Sequence, residues 1–289
     1  MHWKHIQAAR LHRLFFEGFT AMDIAEPLAS FDAGADAGMV KAFMAGREFD
    51  LVGIRVDGLV RGYVRQTELA DGVCTDYLHE FTPDDDLVPD TASLIEVVKS
   101  LSINRQCFVT VLNEVSGIID LDDLEKPPMR MFLFGLITLS EMLMTELIRR
   151  RYPGDCWQSR LSEPRLAKAK ELQEERVRRG QTPDLIDCLQ FGDKGWILSY
   201  DEEVRDALGW SSRNDARKAI KDLETLRNNL AHVQAIIPTG WKRIVIACGR
   251  LDDNLKNLVQ RLDVVSQPKK ECTNLPANEF GSEPATGSV

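Results

Sequence analysis

Late in the second half of the chain lies the segment Asp222-Leu223-Glu224-Thr225-Leu226-Arg227-Asn228-Asn229-Leu230-Ala231-His232. On a helix, Leu223, Leu226 and Leu230 recur at three and four residues and face a core. Glu224, Asn228 and His232 recur every four and share another face. Such types suit acid–base chemistry near neutral pH. A neutral imidazole, whose ordinary pKa is about 6.5, accepts the proton of an attacking hydroxyl. A guanidinium, charged and planar, stabilises the crowded phosphoryl oxygens. Asn228 would orient His232 or hold a phosphate oxygen, and His232 is the only histidine beyond residue 79.

Arg227 and His232 stand five apart, about 140° around a helix of 3.6 residues per turn. One helix does not aim both at one point, but two copies across a two-fold axis can pair the arginine of one with the histidine of the other. A homodimer is therefore expected. The competing structural reading pairs Arg227 with Glu224 and leaves His232 to interact with the helix dipole.

Leu226-Arg227-Asn228-Asn229-Leu230-Ala231-His232 resembles the motif of the HEPN family, in which an arginine, a polar residue and then a histidine lie late in a small helical bundle. The resemblance extends over about residues 132–238, with Glu141 on an earlier long helix as the supporting acidic residue. It implies an all-α HEPN-like bundle and a metal-independent endoribonuclease that cuts RNA by 2′-OH transesterification at a dimer interface. Toxin or phage-defence settings, sometimes with a separate antitoxin, go with that family, as do non-catalytic members.

The elements that must carry these residues are helical. From Met129 onward Leu, Met, Glu, Arg and Lys recur with helical periodicity. Met131–Tyr152 predicts a long helix ended by Pro153-Gly154, and Arg165–Arg179 a charged one stopped by Gly180. Pro183–Gln190 and Gly195–Tyr200 are shorter. Ser199 with Glu202 has the spacing of a capping box opening a helix to Leu208, and Ser212 with Asp215 the same for the helix that runs to about Ile237. Residues 241–249 suggest a strand and 251–265 a helix. The Pro-, Ser- and Gly-rich end, 266–289, reads as a disordered tail.

The first half is a duplication. Ten apolar, glycine or acidic positions match at an offset of 55, among them Ile54 and Val56 with Val109 and Val111, and Gly62 with Gly117. Met39, Val40 and Phe43 align in the same way with Leu94, Ile95 and Val98. Each copy reads as helix, strand, turn, strand, short helix. Asp57-Gly58 between two β-rich runs marks a tight hairpin, while Asn113 turns the second one between strands Cys107–Leu112 and Val115–Ile119. Pro89-Asp90-Thr91 is the expected start of the second helix. One copy is too small to bury both faces of its sheet.

Val60-Arg61-Gly62-Tyr63-Val64 and Val115-Ser116-Gly117-Ile118-Ile119-Asp120-Leu121-Asp122-Asp123-Leu124 resemble the CBS-domain family, whose paired β-α-β-β-α repeats form a Bateman module. The resemblance implies an α+β domain over 1–128, with repeats at about 17–72 and 73–128 after an N-terminal helix. The helical domain then spans 129–265. It also implies an adenine nucleotide as regulatory ligand, with Gly62, Arg65, Glu68, Gly117, Asp120 and Asp123 at its motif positions. Where the family carries a hydroxyl, this chain has Arg65, which suits a phosphate, and Asp120, which repels one.

Charge follows the same division. Residues 1–132 hold 12 basic and 22 acidic side chains, whereas 133–263 hold 22 and 20, so any polyanion would meet the second part. The six cysteines are scattered without a CxxC pair, which speaks against a zinc finger or disulfide framework and for small buried apolar roles. His2, His5 and His12 lack neighbouring ligands at metal-binding spacing. No uninterrupted apolar run has the length of a membrane span, and a cytoplasmic setting is expected. Two functions follow: a CBS-regulated ribonuclease that needs no catalytic cofactor, or a non-enzymatic nucleotide sensor or dimerisation module with a degenerate bundle.

Overall fold

The computed structural model describes residues 13, 17–82 and 87–232. The N-terminal histidines, the acidic run Asp84-Asp85-Asp86 and the segments expected at 241–249, 251–265 and 266–289 lie outside those residues. The chain divides into two compact units. Among the described residues, one comprises 13, 17–136 and 229–232, and the other 137–228.

The first unit contains the duplication. Its elements are β1 (Glu26–Pro27), β2 (Ser30–Asp32), α1 (Ala37–Arg47), β3 (Leu51–Val56) and β4 (Leu59–Arg65), then β5 (His79–Glu80), β6 (Leu87–Pro89), α2 (Leu94–Ile103), β7 (Gln106–Val111) and β8 (Glu114–Asp120). Two four-stranded sheets result, ordered β2-β3-β4-β5 and β1-β8-β7-β6. In each, a parallel strand–helix–strand unit is followed by an antiparallel hairpin. The fourth strand is exchanged. β5 opens the second copy yet pairs with β4 of the first, and β1 opens the first copy yet pairs with β8 of the second. Each sheet is completed only by the other copy's leading strand. Between the sheets Tyr63, Phe81 and Phe108 meet, with ring centroids 4.9–5.9 Å apart.

Duplication is confirmed in the strands at an offset of 55, because β3–β4 and β7–β8 are equivalent along their whole length. Within the helices the offset is 57. Ala37, Val40 and Met44 are buried on α1, and the residues 57 further on, Leu94, Val97 and Leu101, are buried on α2. At an offset of 55, Met39, 58% exposed, would face Leu94, which is fully buried. The second copy has therefore lost two residues between the start of its helix and its next strand. Nor does α2 start at Pro89, which ends β6 opposite Thr110. It starts after Ser93, whose hydroxyl and Glu96 form a reciprocal capping box.

The hairpins use one turn type. Asp57 and Gly58 have φ of 53° and 81°, and Leu112 and Asn113 have 52° and 67°. Both central residues of this turn require positive φ, so the strand expected to reach Leu112 stops at Val111. The short helix expected to close each copy is a turn after Arg65 in the first and a 3-10 turn, Asp122–Glu125, in the second. The latter cannot lengthen into an α-helix, because Pro127 holds Lys126 in extended backbone at φ −61° and ψ 149°.

Among the described residues five α-helices follow: α3 (Pro127–Arg151), α4 (Glu163–Arg178), α5 (Phe191–Ser199), α6 (Glu202–Ala207) and α7 (Arg213–Ala231). The unit boundary falls inside α3 and again inside α7. α3 begins four residues before its expected start, with two prolines in the first turn, where their missing N–H groups would have no helical partner. By length and composition it could cross a bilayer, but 67% of its most apolar stretch is buried inside the protein. Ser199 does not cap α6; it is buried at the end of α5, and Asp201 holds the N-cap. Ser212 does cap α7, its hydroxyl accepting from the Asp215 N–H at 3.1 Å. α5 and α7 approach closely, since a Cβ at Gly195 would lie 2.1 Å from Ile220 Cδ1. Cys74, Cys107 and Cys188 are buried as expected, whereas Cys156 is half-buried and disulfide-bonded.

Candidate functional site

The strand ends of the two copies converge on a cleft of about 570 Å³, a volume ordinary for a small-molecule site. Arg65 ends β4, and its equivalent, Asp120, ends β8; both line the cleft. Asp50 precedes β3, and its equivalent, Arg105, precedes β7; both line it too. Each copy thus supplies one guanidinium and one carboxylate at the same end of its hairpin, with the two exchanged between copies. Leu28, Phe49, Leu51, Ile118 and Leu121 form an apolar wall, and Thr67 adds a hydroxyl. Glu26, Glu48, Asp122 and Asp123 bring the carboxylates to six against the two arginines.

Not every carboxylate is available to a ligand. Asp123 is 8% exposed and uses both oxygens: one accepts from the Asp120 N–H at 2.8 Å, the other from Lys126 Nζ at 2.8 Å. Burial pushes the Asp123 carboxyl up, while the bond from Lys126 pulls it back. Lys126 also pairs with Glu26 and donates to the Ile24 carbonyl at 2.7 Å. One Asp120 oxygen accepts the N–H groups of Asp122 and Asp123 at 2.8 and 3.2 Å, holding the 3-10 turn. Arg65 lies over the Tyr63 ring, 5.3 Å from its centroid.

Of the six residues predicted to bind nucleotide, Arg65, Asp120 and Asp123 line the cleft, and Gly62, Glu68 and Gly117 do not. The glycines serve strand exchange instead. A Cβ at Gly62 would lie 2.1 Å from the His79 carbonyl oxygen on β5, and one at Gly117 would lie 3.2 Å from the Glu26 carbonyl oxygen on β1. Glu68 meets His79 Nε2 at 2.5 Å and so fastens the exchanged strand. Sequence reasoning missed Asp50, Arg105 and Thr67. The first two could have been found by extending the 55-residue offset to the residue before each strand.

On α7, Arg227 is half-buried and Asn228 exposed; His232, just past the helix, is exposed. Arg227 makes no ion pair with Glu224 among the described residues, which removes the expected structural pairing. Glu224 instead packs its carboxylate over Gly192, where a Cβ would lie 2.4 Å from Oε1. Glu141 is held by Lys194 Nζ at 2.8 Å. Among the described residues no group of three or more His, Cys, Asp or Glu side chains is arranged to hold a metal ion.

No family model matches the sequence, and no curated protein matches it. Similar solved structures are CBS domains that match about 40% of the chain. The CBS-containing hemolysin-like protein of Oenococcus oeni PSU is 12% identical, covering 40% of this chain and 93% of its own, at a TM-score of 0.32. CBSX2 in complex with AMP is 16% identical, with 37% and 93% covered and a TM-score of 0.32. CbpB in complex with c-di-AMP is 15% identical, with 41% and 89% covered and a TM-score of 0.33. What defines the fold is the strand order and the reciprocal exchange in the chain itself.

Proposed function

We propose that the duplicated unit is a CBS pair that senses an adenine nucleotide, and that the helical unit carries its output. The observation that supports this reading is the cleft: an apolar wall for a base, free carboxylates for ribose hydroxyls, and Arg65 and Arg105, one from each copy, for phosphate. A ligand seated there touches the strand ends of both copies, so binding is coupled to their relative arrangement. The test is thermal unfolding with AMP, ADP or ATP. A nucleotide at about 100 times its Kd adds ~2.7 kcal/mol of stability. Arg65→Ala and Arg105→Ala each remove a charge-assisted contact and weaken binding by ~10-fold or more. If none of the three nucleotides raises the melting temperature at millimolar concentration, the sensor reading fails.

A second reading makes the output a HEPN-type endoribonuclease acting as a homodimer, with Arg227 and His232 catalytic, Asn228 and Glu141 in support, and a separate antitoxin as partner. It is favoured by the exposure of Asn228 on α7 and of His232 just past its end, and by an Arg227 that makes no ion pair among the described residues. Incubation with RNA in EDTA tests it. Cleavage that disappears in His232→Ala and in Arg227→Ala supports it, and intact RNA at every nucleotide concentration overturns it.

A further inference from the structure

Two cleft-lining carboxylates, Asp123 and Glu26, share one cation. Lys126 Nζ meets Asp123 at 2.8 Å, pairs with Glu26 and donates to the Ile24 carbonyl, so this amine gathers the 3-10 turn and the exchanged strand β1. The next residue, Pro127, is the first of α3. One turn into that helix stands Arg130. Its Nη1 bonds Glu125, in the same 3-10 turn as Asp123, at 3.0 Å. Its Nη2 donates to the carbonyls of Asn229 and Leu230 at 3.2 and 3.4 Å, in the last turn of α7. Carbonyls at a helix end lack intrahelical partners, and a guanidinium satisfies them while meeting the negative end of the dipole. His232 follows Leu230 by two residues. All of these residues belong to the first unit.

We propose that Arg130 is a positioning residue that fixes the last turn of α7, and with it His232, according to the state of the cleft. The inference rests on the nucleotide-cleft reading. A ligand that draws on Asp123 or Glu26 competes with Lys126 for them and biases the 3-10 turn between two arrangements. The turn and the first turn of α3 are joined through Glu125 and Arg130, so the hold on Asn229 and Leu230 changes with it. A ligand shifts such a balance only by as much as it prefers one arrangement over the other.

The experiment uses the full chain and AMP as probe, with two readouts: thermal shift for binding, and the imidazole 1H–13C resonances for the helix end. The chain has five histidines, and His232→Ala assigns the relevant signal. The expected result is that AMP moves the His232 resonance in the wild type, and that Arg130→Met keeps the AMP-dependent thermal shift but loses the movement. Arg130→Lys, which retains charge but cannot bridge Glu125 and two carbonyls, also loses it; this variant decides if Arg130→Met does not fold. A wild-type His232 resonance that ignores bound AMP overturns the inference and leaves the cleft reading intact, as does one that still moves in Arg130→Lys. If AMP gives no thermal shift, ADP and ATP replace it in the same experiment, and absence of a shift with all three overturns the cleft reading itself, and the inference with it.

Discussion

Arg151 and Asp201 form an ion pair at 2.7 Å with side chains only 5% and 1% exposed. A second bond, Nη2 to Oδ1 at 3.2 Å, makes it two-pronged, and the Tyr152 hydroxyl donates to Asp201 at 3.3 Å. Neither charge has much access to water, and with Asp201 gone the buried guanidinium would keep the exposed Glu203 but lose its buried carboxylate partner. Asp201→Asn is expected to lower stability by ~3–5 kcal/mol, read from urea unfolding. The double variant Arg151→Met/Asp201→Leu is expected to lose less than either single change. A cost below ~1 kcal/mol for Asp201→Asn would show that the pair does not depend on its burial.

Tyr152 makes the protein sensitive to alkali. Burial, chiefly, and then the Asp201 carboxylate, raise its phenol well above the ordinary value of 10.0. The folded state therefore keeps a proton that the unfolded chain releases first. The associated stability is complete below pH 10 and falls as pH rises beyond it, by up to ~1.4 kcal/mol per pH unit. In Tyr152→Phe this part of the decline should vanish, while the lost hydrogen bond costs ~1 kcal/mol at all lower pH. Urea midpoints on either side of pH 10 measure both effects, and equal alkaline slopes in wild type and variant would refute the assignment.

Gly62 and Gly117 are equivalent by sequence but not by space. A methyl group at Gly62 runs into the backbone of β5, whereas at Gly117 it needs a shift of only a few tenths of an ångström. Gly62→Ala should therefore cost ~2–3 kcal/mol and Gly117→Ala ~1 kcal/mol or less, within the range known for overpacking. Comparable losses in the two variants, measured by chemical denaturation, would contradict the closer approach of β5.

Leu112 occupies a left-handed position with φ 52° and is 92% exposed, so it pays for its conformation without burying its side chain. The first copy places Asp57 at the equivalent point. Leu112→Asn should raise stability by ~1 kcal/mol, seen as a higher melting temperature. An unchanged or lower value would mean that the turn carries no such strain.

Much of the first unit was legible because its signals are local. Asp57-Gly58 dictates a turn through backbone sterics, and alternating apolar residues dictate which strand face is buried. The helix offset of 57 was not legible, since Met39 and Phe43 are as apolar as the buried Val40 and Met44, and only packing distinguishes them. The ligand-motif glycines were misread for a similar reason: the same residue type serves a close ligand or a close strand, and the nearest atom at Gly62 belongs to β5.

The sequence by itself determined the duplication, the hairpins, the helical second half and the placement of Arg227 and Asn228 on one helix, because period and turn chemistry act over a few residues. Only the tertiary structure decided that leading strands are exchanged, that Asp50 and Arg105 join Arg65 and Asp120 in one cleft, and that Arg130 holds the end of α7. Those relations link residues up to a hundred positions apart, and nothing in local propensity records which distant backbone will come to lie against which side chain.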